Sequence, residues 1–282
     1  MSAAEPIVLT DAAEIMGALE RDDLLPHASP DRREGATSIL RASMARFSGP
    51  AEHSGRRRAV VEAIRAIDTE RAHAFAADLT MSRLTGSRRT GEPLDGIVLA
   101  GTVPTEALAS CLDLQAPLEQ IVADMLAIAR VIGRGAPSSP ESDAATDRML
   151  ALCADCPAGG VPTVSVLYQN FDATWSLLTT TLQACATRVP AVPAVPRTRR
   201  VAATDVELPT RTIPGGSDVL LEIGHAGLPF GFGPHQCPGH ELARAIVAGM
   251  LAAIDASGYE VDPAGIVTDA DGRPTVLPIS ID

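Results

Sequence analysis

Apolar residues recur three and four positions apart through the first two-thirds of the chain, which predicts a mostly helical protein. In "TDAAEIMGALERDD" Asp11 is a cap candidate with Glu14 three residues on, and Ile15 and Leu19 share one face. "HSGRRRAVVEAIRAIDTERAHAFAADLTMSRL" carries Val60, Ile64 and Ile67 at helical spacing with charges opposite. "APLEQIVADMLAIARVIG" is a further amphipathic stretch, closed by Gly133. Residues 134 to 147, "RGAPSSPESDAATD", are rich in Pro, Ser and Asp and read as a mobile loop. A long helix is expected from about Pro162 to Thr187.

The pattern then changes. "VPAVPAVPRTRR" forbids helix and favours an extended path. "RRVAATDVELPTRTIPGGSDVLLEIG" reads as short strands joined by turns at Pro209 and Pro214-Gly215-Gly216. A glycine-bearing loop leads into a helix from about Pro238 to Ser257, and "IVTDADGRPTVLPISI" reads as a hairpin turning at Asp271-Gly272. The fold class is mainly α with a minor β portion. No repeat or domain boundary is visible, so residues 1–282 are expected to form one domain.

Composition narrows the function. The net charge of −12 argues against a nucleic-acid partner, because phosphate binding needs clustered positive charge. All 23 basic residues are Arg, which excludes Schiff-base and Walker-type lysines. No apolar run reaches the length of a membrane span, and the first residues lack a signal-peptide layout. The five cysteines form no even disulfide framework, and a reduced, cytoplasmic setting is expected. Cys153 and Cys156 form a single CxxC, read as two ordinary thiols on a helix.

The chemistry concentrates in "LPFGFGPHQCPGHELARAIV", residues 228 to 247. Cys237 lies among glycines and prolines just before a helix. A zinc site would want three further Cys or His ligands, and a nucleophile would want a base and a positive, partly exposed setting. Haem iron asks for one axial thiolate in a glycine-bearing loop that can lie flat against a porphyrin. The helix start adds N–H groups and a positive dipole end that favour the thiolate.

The run Phe230-Gly-Phe-Gly233-Pro-His235-Gln-Cys237-Pro-Gly239 resembles the haem loop of cytochrome P450s, F-x-x-G-x-(R/H)-x-C-x-G, with every defining position filled. "EHSGRRRAVVEAI" resembles the family's early helix, "LYQNFDATWSLLTTTL" its long distal helix, and "TRRVAATDVELPTRTIPGGSDVLL" the strand pair ahead of the cysteine loop. The resemblance implies haem b with Cys237 as axial thiolate, and His53, Arg57 and Arg200 on the haem propionates. Phe230, Gly233, His235 and Gly239 complete the expected haem-binding set. It also implies a P450-like oxidoreductase, monooxygenase in type, acting on a small organic substrate in specialised metabolism, with electrons from a ferredoxin or reductase.

The chain departs from that family in two intervals and one helix. "QACATRVPAVPAVP" stands where the family has helices with Glu-x-x-Arg, and "EIGHAG" stands in place of a long meander. Both losses fall on the cysteine side, which puts ordinary reductase docking in question and suggests a homodimer covering that face. In the distal helix the usual acid-threonine pair is replaced by Asp172-Ala173-Thr174. Asp172, Ser176 and Thr174 are the distal candidates, on a polar line of Gln169, Asp172, Ser176, Thr179 or Thr180, and Gln183. Substrate contacts are expected from residues 24 to 50, 80 to 110 and the distal helix. Two alternatives stand beside the monooxygenase: haem-thiolate chemistry driven by peroxide or Lewis acidity, and a non-catalytic haem-binding partner.

Overall fold

The computed structural model describes residues 5–26, 34–133 and 135–280. Residues 27 to 33, within the expected substrate-contacting stretch, and residue 134 lie outside the described residues. Strand β1 (Ile7–Leu9) leads to helix α1 (Ala12–Leu19), whose first turn is capped as expected, the Glu14 amide donating to Asp11 at 3.0 Å. Strand β2 (Leu24–Pro26), helix α2 (Ala36–Ser43) and a 3₁₀ turn (Ala45–Phe47) follow. The long Arg-rich stretch is two helices, α3 (Pro50–Arg65) and α4 (Thr69–Thr90). Asp68 makes the break by accepting from the Glu70 and Arg71 amides, which starts a new helix.

Strand β3 (Leu94–Asp95) precedes α5 (Gly96–Cys111), α6 (Leu118–Ile132), α7 (Pro140–Leu152) and α8 (Gly160–Thr187). Helix α7 corrects the expected loop, because residues 140 to 147 are helical. Ser139 caps the helix reciprocally with Ser142, and Pro140 occupies the first turn. The Ser, Pro and Asp content that looked like loop is therefore a helix start. The strands β4 (Thr198–Ala202), β5 (Val206–Glu207), β6 (Thr212–Ile213) and β7 (Asp218–Leu221) come next. Helix α9 (His240–Ser257), strand β8 (Glu260–Val261), a hairpin of β9 (Val267–Thr268) and β10 (Pro274–Val276), and β11 (Pro278–Ser280) complete the chain.

Two cores hold these elements. The larger is helical, with α9 packed along α4 and α5 along α8. Small residues allow the close α4–α9 approach: Ala72, Ala76 and Ala253 are buried, and a Cβ at Gly249 would strike the His73 carbonyl. The smaller core lies beneath the mixed sheet β1-β7-β4-β2, where Leu9, Ile15, Leu19, Leu24, Val219 and Leu221 are buried together. No helix among the described residues is long and apolar enough to cross a membrane.

The proline segment 190–197 forms a strap between α8 and β4. Ser176, midway along α8, donates to the Ala194 carbonyl at 2.8 Å, and the Gly224 amide donates to the Pro196 carbonyl at 2.9 Å. Arg197 then reaches Asp271 at 3.2 Å and Glu222 at 3.7 Å. Proline suits this path because it needs no amide donor and is already extended. Ser176→Ala is expected to lower stability by about 1 kcal/mol, the usual net worth of one hydrogen bond. Urea denaturation checks the loss, and ligand binding measured beside it should be unchanged.

Candidate functional site

The cysteine loop is built as a tight double turn. The Gly231 amide donates to the Leu228 carbonyl, the Gln236 amide to Gly233, and the Cys237 amide to the Phe230 carbonyl at 2.8 Å. Gly231 (φ 73°) and Gly233 (φ 58°) take left-handed conformations that side chains resist, so both glycines are required by the backbone. Gly239 differs. Its φ of −98° is ordinary, and an added Cβ would meet only Ile64 at normal contact distance. The protein itself does not need a glycine there.

Helix α3 carries His53 and Arg57 to this loop. The two imidazoles of His53 and His235 lie 4.8 Å apart between ring centroids, and Arg57 donates to the Gln236 carbonyl at 2.6 Å. Arg200 comes from the middle of the sheet, paired in register with Val219 on β7 and Pro26 on β2. It is 8% exposed, donates through Nη1 to Thr198 Oγ1 and the Arg199 carbonyl, and leaves Nε buried without a partner.

These groups repel one another electrostatically. Burial, then the Arg200, His53 and Arg57 charges, push His235 down to about 4, so it is neutral near pH 7. Burial, then Arg57 and Arg200, lower His53 as well. Burial and nearby Arg46 bring Arg200 down to about 10. The carboxylate whose field reaches the histidines is the exposed Asp22, which is outweighed.

Cys237 is exposed, yet burial raises its thiol pKa. A side chain that solvent reaches while protein crowds it lies on the wall of an opening. The Gly239 backbone, Arg57 and Arg46 act against burial and favour the thiolate. Phe230 is half-buried, its ring 5.8 Å from that of His240 and 4.8 Å beneath the Arg244 guanidinium.

The distal candidates separate. Thr174 is buried and donates to Asn170 Oδ1 at 2.7 Å, and Ser176 is committed to the strap. Asp172 and Ala173 are exposed although Tyr168, Asn170 and Thr174 around them are buried, so α8 borders an opening there. One neighbour falls outside every motif read from the sequence. Arg46 is felt electrostatically at Cys237, Arg200 and Tyr168, and Asp172 is also felt at Tyr168, which lies within the distal-helix motif.

No protein-family model matches the sequence, and a search of curated proteins finds no match. Solved structures do match. A mutant of the mixed-function P450 MycG in complex with mycinamicin IV superposes with a TM-score of 0.75 at 17% identity, over 98% of this chain and 91% of that one. P450BioI in complex with an acyl carrier protein ligated by hexadec-9Z-enoic acid gives 0.72 at 16% identity, over 98% and 92%. Epothilone B-bound cytochrome P450epoK gives 0.69 at 17% identity, over 96% and 90%. The chain has the cytochrome P450 fold.

Within this P450 fold the residues at the cysteine loop fit an iron porphyrin. Among the described residues no three His, Cys, Asp or Glu converge, so Cys237 has no companions to hold a bare ion, and a macrocycle would supply the missing donors. Arg200 is a buried cation without a counter-ion among the described residues, as a carboxylate-bearing group requires. Arg200→Met is therefore expected to leave the haem-free protein at least as stable in urea, since an unsatisfied buried group costs about 1–3 kcal/mol. The same variant should release haem at least roughly tenfold faster to a haem-scavenging globin, given the strength of charge-assisted contacts.

Proposed function

We propose that this protein is a haem-thiolate oxidoreductase acting on a small organic molecule. The observation that carries the reading is the pairing of Cys237, on the wall of an opening, with the buried and uncompensated Arg200 in a P450 fold. The solved P450s with mycinamicin IV and epothilone B support a substrate of specialised metabolism, each by what its own structure contains.

Cys237 would supply the thiolate ligand to the iron, and Arg57, Arg200 and neutral His53 and His235 would bind the two propionates as donors. Phe230, Gly233 and Gly239 would shape the loop beneath the macrocycle. When bound, such a haem supplies dioxygen activation, the sulfur's electron push favouring O–O cleavage. The Gly239 N–H and the start of α9 stabilise negative charge on Sγ. Asp172, exposed on the opening, is the residue that can hold or pass a proton there, whereas the Thr174 hydroxyl serves Asn170.

A second reading, turnover with peroxide or Lewis-acid chemistry in place of a reductase, is favoured by the donor side. A basic patch for an electron donor would have to come from Arg56 to Arg58 or from Arg197 to Arg200, yet Arg56 is tied to Ala42 and Ser48, Arg57 to Gln236, Arg197 to Glu222 and Asp271, and Arg200 is buried. Arg58 and Arg199 remain exposed. The large exposed apolar residues Val8, Ile39, Val98, Leu126 and Val189 come from separate segments, and only Val267 and Val276 are neighbours, paired across the β9–β10 hairpin. A homodimer over the cysteine side therefore stays a proposal, which sedimentation at low concentration checks.

The reconstituted ferrous protein should show the thiolate-type carbonyl band, and Cys237→Ser should abolish it while far-ultraviolet dichroism is kept. An unchanged spectrum in the variant overturns the ligand assignment. Comparing turnover with a surrogate ferredoxin–reductase pair and with peroxide then separates the two readings. Asp172→Asn is expected to lower kcat at least roughly tenfold with KM little changed, as loss of a proton-transfer group does. Thr174→Ala should change kcat by less than about twofold.

A further inference from the structure

Helix α3 fastens the short turn that carries Arg46. Arg56 donates to the Ala42 carbonyl at 2.6 Å and to Ser48 Oγ at 2.8 Å, and Ser48 donates to the Met44 carbonyl at 2.8 Å. Met44, Ala45 and Ser48 are buried, and the Phe47 ring packs on the helical core. The Arg41 guanidinium lies 4.3 Å from that ring's centroid and Arg46 lies 5.7 Å from it. Arg46 is the exposed side chain of this fixed segment. It forms no hydrogen bond or ion pair among the described residues. A rigid turn that presents one unpaired cation is preorganised for an anion, since little ordering remains to be done on binding.

The surroundings identify which anion. The turn that carries Arg46 packs on α3, which also packs on α8 and brings His53 and Arg57 to the cysteine loop. In keeping with that placement, the Arg46 charge is felt at Arg200, Cys237 and Tyr168. The charged groups around it are Arg41, Arg200 and Cys237, with Asp172 beyond Tyr168. In the proposed haem site Arg57 and Arg200 would match the two propionates, which would leave Arg46 as a surplus positive charge. One guanidinium suits a carboxylate through two parallel bonds. A phosphate dianion would want more donors and would meet the Asp172 carboxylate.

We propose that Arg46 binds the carboxylate of a small organic-acid substrate lying between the cysteine loop and the exposed Asp172–Ala173 face of α8. This rests on the opening beside Cys237 being the substrate site. The test is calorimetric titration of the haem-loaded protein with a series of ω-phenylalkanoic acids and their primary amides at neutral pH. At least one acid should bind roughly tenfold or more tightly than its amide, and added salt should weaken the acid alone. Arg46→Gln should erase the preference while amide affinity and haem content are kept. Arg46→Lys should retain part of it, and Arg89→Gln, an exposed charge on α4, should retain all of it. The proposal is overturned if no acid outbinds its amide, or if Arg46→Gln keeps the preference. It is also overturned if Arg46→Gln loses haem with the preference intact, which would assign Arg46 to the propionates. A protein that takes up no haem yet prefers acids refutes the haem reading and leaves this one standing.

Discussion

Positive charge gathered around Cys237, with only the exposed and outweighed Asp22 acting against it among the described residues, is the constraint that organises the rest of the molecule. Arg200 is held in the middle strand of the sheet, its Nε unsatisfied, and its neighbours His53, Arg57, His235 and Arg46 are basic as well. Such a cluster opposes folding, because a buried charge loses hydration and like charges repel. It persists because the elements that carry it are fixed elsewhere. The small core under β1, β7, β4 and β2 sets Arg200, and the helical core sets α3 and α8. The anionic face of a carboxylate-bearing cofactor, such as the haem proposed above, would relieve the charge from outside. Structure and binding are thereby coupled: the same side chains that cost stability in the bare chain supply affinity when the group is present.

The strap helps to keep this arrangement. Ten residues from 188 to 197 run from the end of α8 to β4 without regular secondary structure and with three prolines among them. The path is anchored at Ser176, at Gly224 and at the Arg197 ion pairs, so it ties the distal helix, the segment before the cysteine loop and the β9–β10 hairpin to one another. Extended backbone cannot satisfy its own carbonyls. It therefore takes donors from neighbouring elements, and those bonds restore part of the cross-linking that packed helices would give.

Much of this was legible in the sequence, and what was not has physical causes. The Asp11 cap, the span of α8, the turns between the short strands and the φ 79° glycine at the hairpin all follow from local rules. The cysteine loop was legible because its glycines and its sulfur are needed at fixed offsets. The start of α7 was misread because Ser, Pro and Asp favour both turns and helix starts, and only the downstream apolar face distinguishes them. Helix α2 was not visible for a different reason. Its N-terminus is capped from a distance, by Asp143 on the Thr37 amide at 2.8 Å and Ser138 on the Ser38 amide at 3.0 Å. No local signal announces a cap 100 residues away. Arg46 was likewise silent, since its importance comes from what α3 and α8 place beside it.

The polar line on α8 shows the same limit from the functional side. Hydropathy counts Thr163, Thr179, Thr180 and Thr187 as polar, yet each hydroxyl donates to a carbonyl three or four residues earlier in the same helix. Gln169 does likewise, to the Ser165 carbonyl at 3.2 Å. A hydroxyl satisfied by its own backbone behaves almost as an apolar group, which is how Thr179 and Thr180 come to be buried. Spacing alone therefore overstates how many groups α8 offers to the opening. Once these internal bonds are removed from the line, the Asp172 carboxylate and the partly exposed Gln183 amide are the groups left without an internal side-chain hydrogen bond among the described residues. Asp172 stands beside Ala173, which has no proton to give, so α8 offers far fewer polar groups outward than its spacing suggests.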